Sequence, residues 1–142
     1  MVQLSDACVN RVKKIIQTAL RKNDIRAEKN DDKLIKYVDS VVTAKIIRAI
    51  LKDKFPQTKF SVRAEKYSGG SSIHISFLKG NVENKQVNET VQWLCCKGFD
   101  GMTDSTYYTG PVNIAGYKIQ PASYISVYDY EQDSYMAKKL NL

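Results

Sequence analysis

The chain has 142 residues, 43 % of them hydrophobic and 26 % charged, with a formal net charge of +7. That is one domain's worth of protein, apolar enough for a real core, because a domain of about 150 residues hides roughly 70 % of its unfolded surface. The longest apolar runs, such as Trp93-Leu94-Cys95-Cys96, fall far short of the about 20 residues of a membrane span, and the opening six residues lack the basic start and apolar stretch of a secretion signal, so a cytoplasmic protein is expected.

Cys8, Val9, Val12, Ile15, Ile16, Ala19 and Leu20 recur at three- and four-residue steps and predict a helix from about residue 6 to about residue 22. Ser5 or Asp6 suits its N-cap, and Arg11, Lys13, Lys14, Arg21 and Lys22 lie off the apolar stripe. The polar stretch from Lys22 to Asp32 reads as a connection, and Lys33-Leu34-Ile35-Lys36-Tyr37-Val38 reads as a short helix leading in. A second stripe, Val41 or Val42 followed by Ile46, Ile47, Ile50 and Leu51, predicts a helix capped by Asp39 or Ser40 and stopped by Pro56.

After Pro56 the period changes to two. Phe60, Val62 and Ala64 alternate with Lys59, Ser61, Arg63 and Glu65, and Ile73, Ile75 and Phe77 alternate with Ser72, His74 and Ser76. Two such runs around Gly69-Gly70 predict an antiparallel hairpin that sets His74 beside Arg63. Val87, Val91, Leu94 and Cys95 return to helical spacing, with Gly98 a C-cap candidate. Residues 117–120 and 124–128 read as strands, and residues 134–142 as a short terminal helix or frayed tail. Seven of the nine tyrosines fall between 107 and 135, where core packing is the first expectation and an oligomer interface the second. The fold class expected is α+β: N-terminal helices, then a helix–β-hairpin–helix unit with a small, mostly antiparallel sheet. The expected division is a basic helical arm over 1–38 and a single α+β domain over 39–142.

Three cysteines without framework spacing do not make a disulfide scaffold. With no CxxC and a single histidine there is no zinc site, and no metal or cofactor is expected. No P-loop, GxGxxG, HExxH or GxSxG is present. The Ser-Gly-Gly-Ser-Ser segment feeds a strand, whereas phosphate loops feed a helix N-terminus. Any acid–base or nucleophilic chemistry would run through His74, paired with Cys95, Cys96 or Asp100, and Asp100 and Asp104 with a third acid such as Glu89 would be the carboxylates for a divalent ion. A surface histidine and an Asp-Gly turn are the ordinary readings of these groups, so no catalytic residues are expected.

Charge is the strongest signal. Residues 1–66 hold 16 of the 22 Lys and Arg against 8 of the 15 Asp and Glu, so the excess positive charge belongs wholly to the first half. Such a half attracts polyanions or an acidic protein, against the ordinary use of lysines as solvated helix faces. The candidate binding surface is Arg48 and Lys52 on the helix with Lys59, Arg63 and Lys66 on the first strand, and Tyr67 and His74 for stacking or hydrogen bonding nearby.

Three segments carry a resemblance: the stretch from Leu51 to Arg63, LKDKFPQTKFSVR, then Tyr67-Ser68-Gly69-Gly70-Ser71-Ser72-Ile73, then Gly98-Phe99-Asp100-Gly101-Met102-Thr103-Asp104. Over about residues 40–130 the chain resembles the large polyvalent protein-associated domain family twenty-nine. It departs from that family at Phe77-Leu78-Lys79-Gly80-Asn81, where a Trp-x-Asp/Asn-Gly-Pro step is common, and residues 1–39 lie outside the resemblance. The resemblance implies a phage or mobile-element accessory protein in the cytoplasm of a bacterial host, with no catalytic residues to carry over. It implies a counter-defence role: binding and inhibiting a host nucleic-acid-targeting complex, such as a CRISPR effector or restriction enzyme, through the basic face. Direct DNA or RNA binding in mobile-element transfer is the alternative.

Overall fold

The computed structural model describes residues 4–22, 28–29, 39–68, 70–80, 82–95, 97–100, 102, 105–108 and 112–142, with the backbone alone at 28–29, 97–100 and 105–108. The predicted short helix over 33–38, most of the connection before it and Gly69 lie outside the described residues.

Helix α1 (Asp6–Arg21) begins where Ser5 Oγ accepts the Cys8 amide at 3.2 Å, and it buries Cys8, Val12, Ile16 and Ala19. A two-residue strand, β1 (Glu28–Lys29), precedes helix α2 (Ser40–Lys54). Asp39 caps α2 by accepting the Val41 amide at 2.9 Å. The helix ends at Lys54 because Pro56 disfavours helical dihedrals in the residue before it, and Phe55 sits at φ −132°, ψ 67°. Helix α2 packs on α1 through one side, and Val41, Lys45, Arg48 and Lys52 form an exposed stripe along it. The pair is antiparallel: the α1 cap residue Ser5 also bonds the Asp53 carboxylate near the end of α2, through its amide at 3.3 Å and through its hydroxyl.

Strands β2 (Phe60–Tyr67) and β3 (Gly70–Leu78) form the expected antiparallel hairpin, with Arg63 opposite His74 and Tyr67 opposite Gly70. Helix α3 (Asn84–Val91) starts in a capping box of Glu83 and Gln86 and closes in a single 3-10 turn over Gln92–Leu94. The expected C-cap at Gly98 fails here, because the helical run ends at Leu94. The last turn tightens as Trp93 Nε1 donates to the Thr90 carbonyl (2.8 Å) and the Cys95 amide to the Gln92 carbonyl (3.0 Å). The Cys95 thiol donates to the Ser123 carbonyl at 2.9 Å, and the backbone is already extended at this residue. Gly98 therefore lies inside strand β4 (Lys97–Asp100), which pairs with β5 (Ser105–Tyr108).

Strands β6 (Val112–Ile114) and β7 (Tyr117–Ile119) turn through Ala115 and Gly116, both at positive φ (51° and 82°), the signature of a type I′ turn. Strand β8 (Tyr124–Tyr130) runs parallel to β3 and completes a sheet ordered β2-β3-β8. Helix α4 (Tyr135–Lys139) follows β8 and is capped by Ser134 Oγ. The protein is α+β, and β3–β8 is the one parallel pair among the described strands.

Alternation divides the β2-β3-β8 sheet into two faces. Phe60, Val62, Phe77, Ile75 and Ile73 point to the helix side, where they meet the α2 and α3 residues of the core cluster. The Phe60 ring packs at a tilt against both Phe55 (6.0 Å between centroids, 51° between planes) and the fully buried Phe77 (5.6 Å, 53°). Cys8 belongs to the same core; burial, reinforced by the nearby Asp53 carboxylate, pushes its thiol pKa up. The other face carries the odd-numbered residues of β2 and the even-numbered residues of β3 and β8.

Candidate functional site

On that second face strand pairing sets Arg63 of β2, His74 of β3 and Ser126 of β8 in one row. The next β8 residues of the same parity are Tyr128 and Tyr130. The His74 and Tyr128 rings lie 6.2 Å apart and 27° from parallel, and those of Tyr128 and Tyr130 lie 6.4 Å apart and 22° from parallel. These three rings form a run of stacked aromatics across the open face. A shallow hollow of about 510 Å³ is lined by Arg63, Ala64, Glu65, His74, Tyr128 and Tyr130. His74 Nε2 lies 2.9 Å from Glu65 Oε2, which fixes the imidazole plane against Tyr128. Arg63 is exposed and has no ion-pair partner among the described residues.

Of the seven residues singled out in the sequence, Arg63, Tyr67 and His74 share this face, and the Tyr67 hydroxyl meets Ser72 Oγ at 2.9 Å. The other four point elsewhere. Arg48 reaches over the outer edge of β2 and donates to the Val62 carbonyl at 2.7 Å, satisfying an acceptor that no neighbouring strand pairs. Lys52 lies on the exposed stripe of α2. The Lys59 ammonium donates to the Asn141 carbonyl. Lys66 has the opposite strand parity to Arg63 and binds Asp39 Oδ2 at 2.6 Å. Partial burial alone would raise the Asp39 pKa. The Lys66 hydrogen bond, the Val41 amide and the Lys66 charge outweigh it and hold the carboxyl below its ordinary value.

Sequence reading missed Glu65, Tyr128 and Tyr130 as members of this surface. The available signal was the alternation Tyr124, Ser126, Tyr128, Tyr130, which places polar and aromatic groups on one side of a strand. Core packing holds for Tyr117, which is buried, whereas Tyr128 is 40 % exposed because its parity turns it away from the helices. The side chains of Cys96, Asp100 and Asp104 lie outside the described residues, and no cluster of three or more His, Cys, Asp or Glu occurs among those described. No described helix is long and apolar enough to cross a membrane.

A family profile described as Large polyvalent protein associated domain 29 matches residues 38–134. The chain belongs to this family. The large polyvalent protein associated domain suggests a phage or mobile-element protein, and its matched segment contains α2, α3 and every strand of the β2-β3-β8 sheet, while α1 precedes it. No curated protein and no solved structure matches the chain.

Proposed function

We propose that this protein is a phage or mobile-element accessory protein that holds single-stranded nucleic acid on the open face of the β2-β3-β8 sheet, in the cytoplasm of a bacterial host, by binding alone and without catalysis. The observation that carries the reading is the His74–Tyr128–Tyr130 run of rings beside Arg63, which has no ion-pair partner among the described residues. Every base has a π-face, so rings on an open sheet accept unstacked bases whatever their sequence, at about 1–3 kcal/mol per base. A duplex keeps its bases stacked internally and offers this face only phosphates.

The electrostatic share is small. Arg63 is the one fixed cation of the hollow and Glu65 offsets it locally, so at most one phosphate is neutralised. With a slope of about −0.7 per neutralised phosphate on single strands, affinity falls by no more than about threefold between 50 and 200 mM salt. The test is fluorescence anisotropy with labelled single-stranded DNA, single-stranded RNA and duplex DNA at those two salt concentrations. Preference for single strands with that shallow salt dependence supports the reading. Equal or tighter duplex binding, or none at low salt, refutes it.

A second reading, binding and inhibition of a host nucleic-acid-targeting defence complex such as a CRISPR effector or restriction enzyme, draws on the charge that the sheet face does not use. Arg11, Lys14, Lys22 and Lys45 lie on α1, α2 and the residue that caps α1, and they make no ion pair with a described residue. Restored phage plating on a host carrying such a system, when this protein is expressed, would support it. Unchanged plating across hosts carrying each of those systems would count against it.

A further inference from the structure

Between α1 and α2 runs a groove of about 270 Å³, on helices rather than on the open sheet face. Its floor is apolar: Ile15 and Ala19 from α1 and Val42 from α2. Its rim is cationic, with Arg11, Lys14 and Lys22 along one side and Lys45 on the other. None of these four cations has an ion-pair partner among the described residues. Just beyond the rim Val41 is 52 % exposed on the same solvent stripe of α2 as Lys45.

We propose that this groove docks an acidic amphipathic helix of a partner protein. Charge complementarity and the character of the floor select that occupant together. An amphipathic helix places apolar side chains at i, i+3, i+4 and i+7 in a hydrophobic groove, and acidic residues flanking that stripe meet the four cations. A nucleic-acid backbone would satisfy the rim but leave Ile15, Ala19 and Val42 without partners. A membrane surface needs an apolar face that protrudes into the headgroup boundary, and these apolar groups line a recess. The volume lies below the about 300–1,000 Å³ of pockets for drug-sized ligands and suits one or two aliphatic side chains. The docking surface is separate from the ring-lined hollow on the sheet and stands whether or not that hollow binds nucleic acid.

The test uses the full chain labelled with ¹⁵N and an 18-residue peptide of leucine and glutamate at helical spacing, with a scrambled peptide of the same composition as control. Amide shifts centred on Ile15, Thr18, Val42 and Lys45, and binding at least tenfold tighter than the scrambled peptide, are expected. Lys14→Glu combined with Lys45→Glu should weaken the helical peptide at least tenfold while leaving the circular dichroism spectrum and oligonucleotide binding unchanged. Equal binding of the scrambled peptide, shifts centred elsewhere, or a less than twofold effect of the charge reversal would overturn the proposal. So would stronger perturbation of the same amides by a single-stranded oligonucleotide or by phosphatidylglycerol vesicles.

Discussion

The Asp39 carboxylate does two jobs at one junction, and replacing it separates them. It caps α2 through the Val41 amide and pairs with Lys66 at the far end of β2, so it ties the helix to the hairpin. Asp39→Ala removes both. Losing an N-cap side chain costs about 1 kcal/mol, within a range of about 0.5–2. The Lys66 side chain is 60 % exposed, so solvent screening limits the pair to a few tenths of a kcal/mol, about 1 at most. The total of about 1–2 kcal/mol corresponds to a drop of about 3–6 °C in Tm for a chain of this size. Asp39→Asn keeps a good cap and loses only the ion pair, so it should fall less than half as far. Because the folded pKa of Asp39 lies below its unfolded value of about 3.9, the charge-dependent part is fully present above about pH 4 and is lost as pH falls through the folded value. Thermal unfolding followed by circular dichroism from pH 7 to about pH 2.5 measures this, as the wild-type Tm minus that of each variant. A deficit for Asp39→Ala under about 1 °C at pH 7, or one that persists undiminished at the acid end, would refute the reasoning.

Three further outcomes follow from the packing. A Cβ on Gly70 would stand 2.3 Å from Ser123 Oγ and 3.1 Å from Ser123 Cβ, so Gly70→Ala should cost about 1–3 kcal/mol by overpacking, and adding Ser123→Ala should recover part of it in the same melts. Ala115 holds φ 51° in the β6–β7 turn, a position that suits Gly or Asn; Ala115→Gly should raise denaturation stability by about 0.5–1 kcal/mol, and a loss would count against the assigned turn. Ser76 is fully buried and its hydroxyl has no hydrogen-bond partner among the described residues, so Ser76→Ala should be neutral or stabilising in urea titrations, and a loss above about 1 kcal/mol would reveal a hydrogen bond at that oxygen.

What could be read in advance was whatever repeats locally. The Cys8–Val12–Ile16–Ala19 stripe, the Asp39 cap, the stop at Pro56 and the alternation through Phe60–Tyr67 are each decided within one or two turns of chain. The same alternation placed Arg63 and His74 on one face and, followed three residues on from Arg63, would have set Lys66 on the other. Pairing at a distance was not legible. That β8 lies parallel to β3, some 50 residues away in sequence, depends on α3 and the intervening strands crossing between them. That crossing alone brings Tyr128 and Tyr130 beside His74. Gly98 misled because a glycine after an apolar helical run signals a C-cap, whereas here Cys95 bonds to Ser123 and the chain has already left the helix. Basic residues on neighbouring elements were drawn together by their charge, yet Arg48, Lys59 and Lys66 each bond a group off the open face.

The central claim is that bases stack on the rings of the sheet face, and Tyr128 is the ring between the other two. The most direct measurement is the affinity of a single-stranded oligonucleotide for the wild type, Tyr128→Ala and Tyr128→Phe, by anisotropy at fixed salt. Removing the ring should weaken binding about 5- to 150-fold, from about 1–3 kcal/mol per stacked base. Tyr128→Phe keeps the stacking surface and should stay within about threefold of the wild type. Equal affinity for wild type and Tyr128→Ala, with the fold intact by circular dichroism, would contradict the account.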